Sequence, residues 1–256
     1  MAGNAVMHAA QALRSKLLAA ASEKLEIHPD RLKTENGEVF LPGHHDKRMN
    51  FVDAARLAEA KYGTLSEVGS YTPPRLGGTY KGAGAGPSPS YSFTAHSIEL
   101  EVDEETGQVV IHKVWSAHDC GKALDKNLVE GQIEGSVYMG IGEALYEHLS
   151  FTKQTKDTVG GLFKNVSLLD YHTPTSIDTP TIEAYCVESV DPEGPLGAKE
   201  AGEGPLLAVV PAIANALYDA IGVRLRSAPF TPEKVLAALE EKKRSVAARK
   251  EDVTVQ

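Results

Sequence analysis

Tyr91-Ser-Phe-Thr-Ala-His-Ser-Ile-Glu-Leu-Glu-Val102, then Asp103-Glu-Glu-Thr-Gly107, then Gln108-Val-Val-Ile-His-Lys-Val-Trp-Ser-Ala117: the fold turns on reading this stretch. Both outer runs alternate apolar with polar residues, and the five residues between them are turn formers, which predicts a β-hairpin. On either side of it the period changes. Val6, Ala9, Ala10, Leu13, Leu17, Leu18 and Ala21 recur at three and four residues, a helical pattern with Asn4 as its candidate N-cap. Glu38–Leu41 reads as a short strand, 50–62 as a helix and Thr64–Tyr71 as extended. The prolines and glycines of Pro73–Pro89 read as an ordered loop or a linker. Beyond the hairpin, 127–148 reads as a helix, Thr181–Ser189 as a strand, Pro205–Ile221 as a buried helix and Pro232–Lys243 as a final helix. Strands and helices do not alternate regularly, which predicts an α+β fold of helices with antiparallel or mixed sheets. Two subdomains, about 1–90 and 91–240, are expected, with residues 241–256 fraying as a charged tail.

Composition excludes several classes. A net charge of −9 argues against a nucleic-acid or anionic membrane surface. Cys120 and Cys186 have no CxxC spacing, which argues for a reduced, cytoplasmic chain with no cysteine-held zinc or iron–sulfur site of its own. No metal-ligand cluster is legible. The start carries no signal-peptide pattern. Pro205–Ile221 holds Asn215 and Asp219 and reads as too short and too polar for a membrane span.

Two stretches carry candidate chemistry. In Gly197-Ala-Lys-Glu-Ala-Gly-Glu-Gly-Pro205, three glycines surround two carboxylates and a lysine just before an apolar helix. Glu203 at the mouth of such a loop fits a tuned general base; a solvated loop whose acids cap the next helix fits as well. The second stretch is His118-Asp-Cys-Gly121 followed by a helix carrying Gly131, Gly135, Gly140 and Gly142. Glycine inside a helix costs about 1 kcal/mol against alanine, so four of them imply either close helix packing or close approach of a bulky ligand. In the second case Gln132 offers that ligand an amide with both donor and acceptor capacity. Cys120 reads as a small buried hydrophobe, and Tyr91, Ser92 and Phe93 are candidates to reach a substrate.

Taken in order, these segments resemble the molybdenum hydroxylases, the xanthine dehydrogenase and aldehyde oxidoreductase family, in the C-terminal third of their molybdopterin-binding subunit. The loop form Gly-Ala-Lys-Glu-Ala-Gly-Glu-Gly looks closest to the 4-hydroxybenzoyl-CoA reductase branch. The resemblance implies that Glu203 is the active-site glutamate, that Gly202 and Gln132 lie against the pterin, and that Gly3, Asn4 and Ala5 form a loop-to-helix start near it. No direct role is assigned to Lys199 or Glu200. The implied cofactor is molybdenum-molybdopterin, in its cytosine dinucleotide form, with the metal held by the pterin rather than by side chains and the site shared with a partner chain. Glu203 then takes a proton from a hydroxyl on the metal, or delivers one in reductive dehydroxylation. Implied partners are a larger molybdopterin-binding subunit completing the site, a 2Fe-2S subunit, an FAD subunit, and a small aromatic or acyl-CoA substrate. Two alternatives stand beside this: a purine- or nicotinate-type N-heterocycle dehydrogenase, and a non-catalytic assembly module of the same fold.

Overall fold

The structure, a computed structural model, describes residues 1–74 and 90–254, with side chains to residue 247. The chain divides into two units, Met1–Pro89 with Glu193–Pro195, and Ser90–Pro192 with Leu196–Gln256. From residue 75 the expected proline–glycine loop lies outside the described residues.

The first unit opens with α1 (Ala2–Leu25). A small antiparallel sheet follows, of β1 (Lys33–Glu35), β2 (Glu38–Phe40) and β3 (Arg48–Asn50) in that order. The β1–β2 turn places Asn36 and Gly37 at positive φ, the backbone a two-residue hairpin requires. Asn50 caps α2 (Phe51–Tyr62), its Oδ1 accepting from the Val52 amide at 2.8 Å. The core of this unit is Leu18, Ala21 and Leu25 of α1 against Leu32, Val39, Leu41 and Ala54. Thr64–Tyr71, expected to be extended, pairs with no strand among the described residues. Gly69 instead presses its backbone onto Ala5 and Ala9 of α1, where a side chain would collide.

In the second unit β4 (Thr94–Val102) and β5 (Val109–Asp119) form the expected hairpin, antiparallel from Thr94↔His118 to Val102↔Val109. Its turn is held by Asp103, whose Oδ1 accepts from the Glu105 amide at 2.8 Å. α3 (Lys126–Ile141), extended by a π-helical turn (Gly142–Tyr146), leads on to β6 (Thr181–Val187), which lies parallel to β5. A parallel neighbour requires a crossover, and α3 with the long segment after it supplies one. The fold is thus α+β, with one antiparallel and one mixed sheet.

Pro205–Ile221 is not a single helix. A short α4 (Glu203–Leu207) ends at Ala208, and α5 (Val209–Ile221) begins there. Together they make the one stretch among the described residues that is long and apolar enough to cross a membrane by length and composition. It is not the buried helix expected from sequence: only the face carrying every fourth residue, from Pro205 to Ile221, is buried, while Leu207 and Tyr218 are exposed. Val209, Ile213 and Leu217 are fully buried against Ile111, Val114, Val137, Ile141 and Phe230, at about 1.5–3 kcal/mol per side chain. α6 runs Pro232–Thr254. It continues past the Lys243 end expected from sequence, with no glycine or proline to stop it and with Glu240 paired to Arg244 one turn on at 3.0 Å.

Candidate active site

β5 ends at Asp119, and the chain turns through Cys120 and Gly121 into α3; opposite this turn runs the loop Gly197–Gly202. The two are stitched by backbone. The Lys199 amide donates to the Cys120 carbonyl at 2.7 Å, and the Lys122 amide to Gly197 at 2.8 Å. Gly121 has φ +64°, and a Cβ there would also collide with the Gly197 carbonyl, so both conformation and space demand glycine. The Lys199 ammonium lies 2.7 Å from Asp119 Oδ2 in a nearly dry contact, the side chains 7% and 12% exposed. Asp119 Oδ1 accepts the Gly121 and Ser189 amides at 3.0 and 3.2 Å. Burial raises the Asp119 pKa, but the Lys199 bond and these amides outweigh it and hold the carboxyl below its usual range. Lys199 is therefore committed to the loop's foundation and is not free to tune Glu203.

Glu200 has a different task. Its Oε2 accepts the amides of Gly202, Glu203 and Gly204 at 3.1, 3.2 and 3.2 Å, capping α4 from inside its own loop. Its Oε1 accepts from the Ser92 hydroxyl and stands 3.7 Å from Nε2 of the fully buried His118. That Nε2 donates to the Glu200 carbonyl at 2.8 Å, and Nδ1 pairs with the Thr94 hydroxyl at 2.7 Å. On the next same-face position of β4, His96 Nε2 donates to the Pro205 carbonyl at 2.6 Å. Partial burial works against Glu200, yet the Ser92 hydroxyl, the amides and His118 hold its carboxyl below the usual range. The sequence alternative of an acid capping the next helix is thus realised by Glu200.

Glu203, at the first position of α4, is exposed. Among the described residues no hydrogen bond or ion pair restrains its carboxylate. It borders an open depression of about 430 Å³ with Ser92, Thr94, Glu200, Gly204, Leu207 and Ala208. Of the three β4-side candidates, Ser92 reaches this depression, whereas Tyr91 and Phe93 are 58% and 71% exposed and do not line it.

Gln132 and Gly202 are brought together. A Cβ on Gly202 would stand 3.6 Å from Gln132 Oε1, and one helical turn on, the Ser136 hydroxyl donates to the Gly202 carbonyl. Gln132 also borders a second depression, of about 260 Å³, shared with Cys120, Leu128, Ala198 and Ala201. The four α3 glycines separate into two kinds. A Cβ on Gly140 would lie 2.5 Å from Val209 Cβ, and Gly142 abuts Glu147 and Pro174, so these serve packing. Gly131 and Gly135 have nothing within 4 Å of where a Cβ would stand, and packing does not explain them. Cys120 is buried, and burial pushes its thiol pKa up.

Gly3, Asn4 and Ala5 belong to the first unit. Asn4 is not the N-cap expected from sequence. α1 starts at Ala2, and Asn4 is a buried residue of its first turn, Nδ2 donating to the Glu193 carbonyl at 2.8 Å. A Cβ on Gly3 would meet Pro195 Cγ at 2.7 Å. Ala5 backs onto Gly69. Sequence reasoning assigned no role to Glu200 or His118, and read Ser92 only as a candidate to reach a substrate, not as a partner of Glu200. They lie 82 and 108 residues apart, and only the pairing of β4 with β5 sets them under the loop. Among the described residues, no group of three His, Cys, Asp or Glu side chains is placed to hold a metal ion.

Residues 1–180 match the family model described as the molybdopterin cofactor-binding domain. The chain is 35% identical over 241 residues to the nicotine 6-hydroxylase large subunit of Paenarthrobacter nicotinovorans, covering 93% of this chain and 28% of that protein. It is 31% identical over 243 residues to the xanthine dehydrogenase molybdenum-binding subunit of Escherichia coli O157:H7, covering 92% and 29%. The solved Cu,Mo-CO dehydrogenase in its carbon monoxide reduced state shares the fold at a TM-score of 0.74 and 24% identity, over 94% of this chain and 29% of that one. The chain therefore spans less than a third of the length of these relatives.

Proposed function

The chain belongs to the molybdopterin cofactor-binding domain family, and from that premise we propose that it forms part of the molybdenum-bearing subunit of an oxidoreductase acting on aromatic or heteroaromatic carbon. One observation carries this reading: an unrestrained Glu203 carboxylate sits on a rigidly capped helix start, one residue from Gly202 and its neighbour Gln132. The α3 surface fits a bulky cofactor. Gly131 and Gly135 leave bare backbone that no packing partner uses, and the Gln132 amide is exposed between them. When bound, the molybdenum-pterin group supplies the redox centre and the oxygen-transfer chemistry.

This chain supplies binding, orientation and a proton. Gln132 offers its amide to the pterin, and Gly202 lets the loop approach it. Gly3, Asn4 and Ala5 contribute backbone at the start of α1, the Asn4 amide being already bonded to Glu193. Glu203 accepts a proton in hydroxylation and delivers one in reductive dehydroxylation. A carboxylate free of competing bonds serves either direction. Ser92, Thr94, Leu207 and Ala208 give the depression a polar wall and an apolar wall, suited to a flat ring.

The loop Gly-Ala-Lys-Glu-Ala-Gly-Glu-Gly supports a 4-hydroxybenzoyl-CoA reductase-like substrate, an aromatic acyl-CoA. Likeness to the nicotine 6-hydroxylase large subunit favours a second reading, an N-heterocycle. The wording "large subunit" and "molybdenum-binding subunit" in the relatives' names supports a multi-subunit assembly. In it a larger molybdopterin-binding portion completes the site, and 2Fe-2S and FAD subunits carry electrons away. The cytosine dinucleotide form of the pterin and a cytoplasmic location belong to the same proposal; the two free cysteines suit a reducing compartment.

The test is metal analysis of the complex purified through a tag on this chain, followed by Glu203→Gln. Near-stoichiometric molybdenum is expected. The Gln variant should keep the metal and lose about 10²–10⁴-fold in turnover. A complex without molybdenum would make the chain an assembly module, and full turnover in the variant would remove Glu203 from the chemistry.

A further inference from the structure

We infer that Glu200 is a positioning residue: its carboxylate, locked between the α4 amides and a polar platform on the β4–β5 hairpin, fixes where Glu203 presents its own carboxylate. The inference rests on the proposed role of Glu203.

The geometry is specific. α4 has only five residues, too few to hold its shape by its own hydrogen bonds. It is held from outside at its start and at its middle. At its start, Glu200 Oε2 collects three successive amides, the middle one belonging to Glu203 itself. Further along, the Pro205 carbonyl is taken by His96. Glu200 is held in turn by the Ser92 hydroxyl on Oε1 and by His118, whose ring also bonds the Glu200 carbonyl and is anchored by Thr94. Ser92, Thr94 and His96 occupy alternate positions and so share one face of the β4 strand line. Gly204 completes the fit, because a Cβ there would strike Glu200 Oε1 and lie 2.9 Å from the His118 ring.

Solvating a loop acid needs none of this. A carboxylate that only capped the helix would gain from the amides and leave its second oxygen to water. Here both oxygens are committed, and the groups that commit them come from a strand remote in sequence. Among the described residues Glu203 makes no side-chain bond of its own, so its position is set through its backbone. Misplacing a reacting group by about 1 Å can cost roughly 10²-fold in rate.

The test has a readout independent of turnover. Amide hydrogen exchange is measured at residues 202–204 in the full chain, purified with its accompanying subunits. Glu200→Ala should speed exchange at these amides at least about tenfold, as expected when protecting bonds are lost. Glu200→Gln, which keeps an acceptor for the amides and can donate to Ser92, should stay within about threefold of the parent. Glu200→Asp keeps the charge but falls short of both anchors. It should resemble Glu200→Ala, and it decides the matter if the alanine variant does not fold. In the molybdenum-loaded enzyme, Glu200→Ala should lower kcat about 10–100-fold with KM within about threefold, and Glu200→Gln should recover most of that loss. Parent-like exchange in both Glu200→Ala and Glu200→Asp would overturn the inference, as would a fall in kcat that Glu200→Gln does not recover. If instead Glu203→Gln proves fully active while Glu200→Ala exposes the amides, the proposed function fails and the structural half of the inference stands.

Discussion

At the scale of single residues, the loop before α4 separates three charges that look equivalent in the sequence. Lys199 is structural, Glu200 orders the helix start, and Glu203 is left without a bonding partner among the described residues. Lys199→Ala would strand the buried Asp119 carboxylate, and loss of one partner of a buried pair costs about 3 kcal/mol. Urea unfolding should show that loss at neutral pH. The pH dependence has a definite sign. The Asp119 pKa is depressed in the folded state, so its contribution is complete above the ordinary carboxylate value of 3.8 and is lost as pH falls through the lower folded value. Stability from this pair should therefore be flat between about pH 5 and 7. Below about pH 4 it should decline, and in Lys199→Ala that acid limb should be shallower. An acid limb unchanged by the substitution would show that Asp119 is held by its amides alone.

At the scale of elements, α3 divides between packing and access. Gly140→Ala should destabilise by about 1–3 kcal/mol through overpacking on Val209. Gly135→Ala meets open space and should gain about 1 kcal/mol from helix propensity. If Gly135 is there for the cofactor, the same variant should carry less molybdenum per chain. A variant that is more stable and equally loaded would show the glycine to be incidental. Sequence pattern located α3, the hairpin and β6 because their periods are long and uninterrupted. It did not locate the break at Ala208. Leu206, Leu207, Ala208 and Val209 all suit a helix locally, but Pro211 has no N–H for the Leu207 carbonyl and its ring crowds that carbonyl, which disfavours a helix running unbroken through Ala208. Gln132 and Glu203 stood out as candidates because each stands beside glycines in an otherwise ordered run, and their proposed roles come from the family resemblance. Glu200 was legible only as a loop acid, because its partners become neighbours through strand pairing.

At the scale of the whole molecule, the chain passes between its two units more than once. After β6 it lodges Glu193–Pro195 in the first unit and then returns to form the loop that carries Glu200 and Glu203. This excursion is held by the Asn4 side chain on the Glu193 carbonyl, by the Tyr71 hydroxyl on Glu193 Oε2 at 2.7 Å, and by Pro195 against Gly3. Gly3 and Asn4 thus have a structural reason to be where they are, whatever they also offer a cofactor. The two roles are separable. Asn4→Ala removes a buried hydrogen bond of about 1 kcal/mol and leaves the Glu193 carbonyl with one partner fewer. Exchange should then quicken about fivefold in peptides covering residues 190–197, following the share of that loss felt locally. The amides of 202–204, protected by Glu200 and the hairpin, should keep their parent rates. If the disturbance instead runs through to residues 202–204, the excursion helps to set the loop, and the first unit acts on Glu203 through the chain that joins them.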